Sequence, residues 1–169
     1  MNKKDEKTIS RLIFCCLALM LLPGFATAGG NETDLPVKEV GQLHQYITEK
    51  NPYTGWKLWP GTTKLYPGKQ PHGAFLTTYV NNIALKSLNE GDKKFPQGSI
   101  IVKENYTAAK ELAAITVMYK VDGYNPLTGD WYWLKFKTDG SVEAEGAVTS
   151  CIGCHSAMVD KDWVFTDKP

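Results

Sequence analysis

Arginine is almost missing from this 169-residue chain: Arg11 is the only one, and it lies in the basic N-terminal head. From residue 29 onward no guanidinium exists to clamp an anion in bidentate fashion. Any anionic group must then be held by lysine, backbone N–H, tyrosine, tryptophan or histidine. Cysteine is scarce as well. Cys15 and Cys16 lie in the leader, which leaves Cys151 and Cys154. One pair cannot build a multi-bridge scaffold, so a disulfide-stapled miniprotein is excluded. No basic run interleaved with aromatics occurs, and the formal net charge is +1, which argues against nucleic acid as a partner. Internal repeats, low-complexity tracts and long linkers are absent too.

What is present begins with a leader. Lys3, Lys4, Lys7 and Arg11 precede the apolar run "LIFCCLALMLLPGFA", and Ala26-Thr27-Ala28 offers small residues for cleavage before Gly29. That order is a secretory signal peptide over residues 1–28. A membrane anchor is the competing reading, but the run is short for a span and Pro23-Gly24 breaks it. Lipidation is discounted because Phe14 precedes Cys15 and Cys15 comes too early. The expectation is a bacterial periplasmic or secreted protein, free of the membrane after cleavage. Residues 29–169 then suit one domain, long enough to bury roughly two-thirds of its unfolded surface.

Residues 29–36 read as a polar leader. Val37, Val40, Leu43, His44 and Ile47 recur at helical spacing. Asp34 or Leu35-Pro36 would start that helix and Asn51-Pro52 would end it. "GWKLWPG" is a short aromatic strand. "GAFLTTYV" alternates, with Phe75, Thr77 and Tyr79 on one side and Leu76 and Val80 on the other. "NNIALKSLNEG" reads as a helix with Asn at its start and Gly91 past its end. "FPQG" is a turn and "SIIVKENY" a strand. "TAAKELAAI" suits either a helix or the start of a long strand that continues as "ITVMYKV". After the loop "DGYNPLTGD", "WYWLKFK" alternates into the turn "TDGS". "SVEAEGAV" is a weak strand, and "TSCIGCHSAMV" a short helix capped by Thr149 or Ser150. Sequential, hairpin-like strands with helices between and at the ends predict an α+β fold, mainly an antiparallel sheet. Trp131 and Trp133 flank Tyr132, so both faces of that strand should be covered, one by core and the other by a partner or a flat cofactor.

The chemistry sits in "CIGCH", Cys151 to His155. Cys-x-x-Cys-His is the attachment pattern of c-type haem. On a helical turn the two thiols share a face and can each form a thioether with one vinyl group, while His155 swings under the iron as proximal ligand. A thioredoxin-like pair would sit early in a βαβ unit, not near the C-terminus. A zinc site needs four ligands, and only His44 and His72 offer further imidazoles. One covalent haem c, with its iron, is the cofactor expected. For the sixth position, Met158 is too close to His155 to reach the opposite haem face. Met118 and His44 read as core residues, and His72 as a hydrogen-bonding turn residue. Five-coordinate iron with an open distal face follows, which suits binding small molecules rather than only passing electrons.

Residues 52–166 resemble the cytochrome P-460 family, which includes the cytochromes c′-beta. "HGAFLTTYVNNIAL", "FPQGSIIVKE", "ITVMYK", "GDWYWLKF", "CIGCH" and "DWVFT" carry the likeness, in that order. The resemblance implies a β-rich homodimer, unlike the four-helix cytochromes c′. It also implies nitric oxide binding at a phenylalanine-walled distal face in some members. In others it implies hydroxylamine oxidation with a lysine cross-linked to the haem. Lys103 is the favoured lysine, beside the segment most like the family, with Lys86 and Lys120 as alternatives. Glu104 and Glu111 are candidate proton relays, and Phe75 and Phe95 candidate distal walls. The missing arginine departs from the distal pockets of part of the family.

Two functions are therefore carried forward. One is a haem protein with an open distal site that binds or oxidises nitric oxide or hydroxylamine, served by a redox partner protein. The other is a single-haem electron-transfer cytochrome with a filled sixth site.

Overall fold

The computed structural model describes residues 40–166. The expected signal peptide over residues 1–28, the polar leader at 29–36 and the expected helix start around Asp34 to Val37 lie outside the described residues. What is described is α+β, with a seven-stranded antiparallel sheet. Its strands are β1 (Lys57–Leu58), β2 (Tyr66–Pro67), β3 (Phe75–Val80), β4 (Ile100–Tyr106), β5 (Leu112–Lys120), β6 (Trp131–Phe136) and β7 (Val142–Gly146). The order is β1-β3-β4-β5-β6-β7, and β2 also pairs with β3. The strands β3 to β7 are thus neighbours in sequence as well as in space, as hairpin-like reading expects.

Strand periodicity sorts the side chains into two layers. Tyr79, Val102, Ile115, Val117, Tyr119, Tyr132, Leu134 and Phe136 face one way, and Leu43, Tyr46 and Ile47 cover them. These last three belong to helix α1, which runs through Val40–Gln42, Leu43–Gln45 and Tyr46–Lys50 and widens from a 3₁₀ turn to a π turn. Thr48 Oγ1 donates back to His44 O at 2.8 Å, and Asn51 N reaches Tyr46 O at 2.8 Å as the helix ends.

The opposite layer holds Val80, Ile101, Met118, Trp131 and Trp133, packed against Trp59, Ala84, Phe95, Trp163 and Val164. Here α2 (Asn82–Glu90) packs on the sheet through Ala84, Leu85 and Leu88. Its start is fixed by Asn81, whose carboxamide accepts from Ala84 N and Ile100 N, each at 3.0 Å, and donates to Gly98 O at 2.8 Å. Gly91 ends it in the left-handed region. One side chain therefore caps a helix and ties it to β4. Asn81→Ala should cost about 2–4 kcal/mol, a lost cap plus buried groups left unpaired. Urea unfolding would check it, and a loss under about 1 kcal/mol would show that water replaces the carboxamide.

"TAAKELAAI" resolves into a turn and then strand. Lys110 has φ 62, which an α-helix cannot contain, and β5 starts at Leu112. The last helix, α3 (Thr149–His155), continues as the 3₁₀ segment Ser156–Lys161. Its N-cap is Val148 with no side-chain cap, so neither Thr149 nor Ser150 caps it as expected: both already lie within the helical turn. Among the described residues no helix is long and apolar enough to cross a membrane.

Candidate functional site

α3 brings Cys151, Cys154 and His155 together at the edge of the α2-side layer. Cys151 is partly buried against that layer, Cys154 is exposed, and both are free thiols. Burial pushes the Cys151 thiol up. His155 is 6% exposed, and its ring sits edge-on to Trp133 at 4.6 Å and to Phe165 at 5.1 Å. Its Nδ1 lies 2.7 Å from Trp163 O. A carbonyl can only accept, so Nδ1 must carry the proton and Nε2 keeps its lone pair. Burial also holds the imidazole below its usual range, favouring the neutral, ligating form.

The carbonyl that does this is placed by a buried ion pair. Lys120 Nζ lies 2.7 Å from both Asp162 carboxylate oxygens and donates to Gly129 O at 2.7 Å. The two side chains are almost fully buried. Asp162 also accepts from Phe95 N at 2.8 Å, and Trp131 Nε1 donates to Asp162 O at 2.7 Å. Asp162 and Trp163 are both left-handed, φ 53 and 65. This clamp turns the chain sharply after the 3₁₀ segment and directs Trp163 O at His155. Gly129 is required beside it, because a Cβ there would lie 2.5 Å from Trp163 Cδ1.

The sheet face in front of His155 carries one cross-strand row, Thr78, Lys103, Thr116 and Lys135. Lys103 is partly buried, and desolvation holds its amine down to about 8. It lies close enough to both His155 and His72 to depress their protonation. Among the described residues the ion pairs fall elsewhere, so no carboxylate neutralises Lys103. The other two candidate lysines are accounted for differently. Lys86 is exposed and pairs with Glu90 at 4.0 Å along α2, and Lys120 is locked in the Asp162 clamp.

His72, in the loop before β3, is on the same face. Its ring centroid is 6.2 Å from that of His155, with the planes at 89°. Its Nδ1 lies 3.0 Å from Asn105 Oδ1. Desolvation, with Lys103 and His155 adding to it, lowers its pKa to about 4. The hydrogen-bonding turn role read from the sequence is present, but its partner is a β4 residue far along the chain.

Other candidates lie away from this face. Glu104 is one residue from Lys103 and therefore on the opposite side of the sheet. There it accepts from Tyr53 OH at 3.2 Å and Tyr106 OH at 2.7 Å. Burial and this carboxylate push Tyr106 up to about 12, and Tyr79 likewise to about 12. Glu104 therefore lies across the sheet from His155 and Lys103. Glu111 is exposed in the turn before β5, its N–H bound to Thr107 Oγ1 at 3.2 Å. Phe75 points with Thr77 to the Glu104 side, beneath Lys110. Phe95 packs on Trp131 and Trp59 in the core. Met118 is 8% exposed between Ile101 and Trp133, a packing residue. His44 rests on Phe136 in the α1 layer, across the sheet from His155. Asn105, Thr116, Asp162 and the Trp163 carbonyl were not singled out from the sequence. Each acts through a partner that only strand register or the chain turn brings near.

The donor set fits a covalently tethered iron porphyrin. Two free thiols share one helical turn, and a neutral imidazole has Nδ1 anchored and Nε2 without a protein partner. Trp133 Nε1, buried beside that imidazole, is a donor with no acceptor among the described residues. Among the described residues no three His, Cys, Asp or Glu side chains converge as a bare metal-ion site. No curated protein matches the chain. The sequence profile described as Cytochrome P460 matches residues 52–166, most of the described fold and all of the CIGCH site. The chain therefore belongs to the Cytochrome P460 family and is a c-type haem protein.

Proposed function

We propose that this haem protein binds or oxidises small nitrogen oxides, nitric oxide or hydroxylamine, on the haem face away from His155. It would act as an exported, periplasmic homodimer that passes electrons to a redox partner protein. The observation that carries the reading is Lys103. Its amine is half-buried, held down to about 8, and faces the His155 side of the sheet without a carboxylate partner. Such an amine has an appreciable unprotonated fraction near neutral pH, as a lysine that bonds covalently to the haem edge needs.

Within this reading Cys151 and Cys154 hold the porphyrin and His155 holds the iron. The bound haem would supply a redox-active Lewis-acidic iron for the N-oxide. The chain's own contribution is to fix the proximal imidazole through Trp163 O and to keep Lys103 desolvated. Electron transfer with a filled sixth site is the second reading, favoured by the placement of His72.

Two measurements test the first reading on matured holoprotein. Ferrous protein should change its optical spectrum on adding nitric oxide, and hydroxylamine should reduce the ferric form. Mass spectrometry should find the Lys103 peptide joined to the Cys151–His155 peptide through the haem, a link that Lys103→Ala removes. A spectrum unmoved by either nitrogen compound would end the N-oxide reading. A haem peptide with only two covalent links would end the cross-link.

A further inference from the structure

We propose that His72 is the second protein ligand of the haem iron, coordinating through Nε2 on the side opposite His155 when no exogenous ligand is bound. The inference rests on the haem reading but not on the N-oxide reading.

The argument starts from Asn105. Its side-chain nitrogen donates to Lys103 O and Ala114 O at 3.1 Å and to Thr116 Oγ1 at 3.2 Å. Two of those acceptors are backbone carbonyls, so the amide cannot be flipped, and Oδ1 must be the atom facing His72. His72 Nδ1 therefore donates, and Nε2 is the lone-pair nitrogen. This is the arrangement of His155, whose Nδ1 donates to Trp163 O. Ligating histidines characteristically give their other N–H to an oxygen in this way, which fixes the tautomer and raises ligand basicity. Here two histidines on one sheet face share it, and among the described residues neither Nε2 has a protein partner.

Their spacing suits one ion between them. Metal–imidazole bonds of about 2.0–2.1 Å on either side, plus the half-width of each ring, put two ring centroids roughly 6 Å apart. The observed separation is 6.2 Å with perpendicular planes. The cross-strand pair Lys103–Thr116 lies beside these histidines, with Thr116 Oγ1 3.5 Å from His72 Nδ1.

His72 is also held in place. The ends of its loop are tied by Gly68 N to Ala74 O at 2.8 Å and Ala74 N to Tyr106 O at 3.0 Å. Gly73 adopts φ +125, and a Cβ there would lie 2.6 Å from Tyr106 O. Only glycine lets the residue after His72 turn this close to β4. The "PHG" stretch thus reads as a device for presenting an imidazole.

Ligand binding then becomes substitution. His72 Nε2 would have to yield its place to an incoming small molecule, an exchange of one donor for another with no electron transferred. This departs from the five-coordinate iron expected from the sequence.

The test uses ferric and ferrous holoprotein. Wild type should give a low-spin ferric optical and EPR signature of two imidazoles. His72→Ala should become high-spin, and added imidazole should restore the low-spin form. The observed rate of nitric oxide binding should level off with concentration in wild type and rise linearly in His72→Ala. Should His72→Ala yield no holoprotein, His72→Gln keeps a donor for Asn105 and should also be high-spin. A high-spin wild type, or a low-spin spectrum surviving either substitution, overturns the proposal. The two readings fail separately. Low-spin wild type converted by His72→Ala but inert to nitrogen oxides removes only the N-oxide function. High-spin wild type that binds nitric oxide removes only the His72 ligand.

Discussion

Asp162→Ala should destabilise the protein by about 3–5 kcal/mol, the cost of leaving one partner of a buried ion pair uncompensated. The Lys120 ammonium would remain in the core with Gly129 O and the face of Trp131, 4.9 Å away, as its remaining neighbours. Phe95 N would lose its acceptor as well. Against a usual domain stability of about 5–15 kcal/mol this is a large fraction. Asp162→Asn should cost less, since it keeps the shape and still accepts from Phe95 N. Guanidinium unfolding of the two variants beside wild type gives the comparison. The clamp has a second readout because it positions Trp163 O. In Asp162→Asn holoprotein the anchor on His155 Nδ1 should loosen, and the haem spectrum should shift while the fold persists. An Asp162→Ala variant within about 1 kcal/mol of wild type would mean that the pair's desolvation cancels its attraction and that the turn is held by Trp131 and Trp163 packing alone.

The elements were legible where local chemistry and tertiary environment agree. Val, Ile, Tyr and Trp alternation gave β3 to β6, and Asn81 and Gly91 bracketed α2 in the sequence as they do in the structure. "TAAKELAAI" was ambiguous for a physical reason. Ala, Glu and Lys favour helix, but Leu112, Ala114 and Ile115 pair with β4, and Ile115 also with β6, and that ladder outweighs intrinsic propensity. The clustering of Cys151, Cys154 and His155 was legible because a helical turn is local. The rest of the site depends on parity and register. Alternation alone says that Lys103 and Glu104 face opposite ways, but not which of them faces His155. That choice is made by the three tyrosines around Glu104 on the α1 side and by α3 on the other. Likewise His72 could be placed in a turn, while its meeting with Asn105 needs β3 and β4 in register, and its meeting with His155 needs the C-terminal helix folded back onto the same face.

Replacing Cys151 and Cys154 together with alanine should abolish covalent haem, so that none stays with the polypeptide on a denaturing gel. The expectation follows from the count of thiols: apart from Cys15 and Cys16 in the apolar N-terminal run, Cys151 and Cys154 are the only cysteines in the sequence. The single variants should differ from each other. Cys154 is exposed, so Cys154→Ala should lose one link and little stability. Cys151 packs beside Val148 and Ile152 against the Trp133 layer, so Cys151→Ala should lose a link and also some packing. His155 tests the division of labour, because in the proposed arrangement its imidazole would hold the iron and not the porphyrin edge. His155→Ala should keep haem stain on the gel while losing the axial-imidazole spectrum. A double cysteine variant that still carried haem through denaturation would require another covalent anchor, and Lys103 would then be the residue to examine. A wild-type protein that released its haem on denaturation would remove thioether attachment altogether and leave His155, with its Trp163 anchor, as the group that retains it.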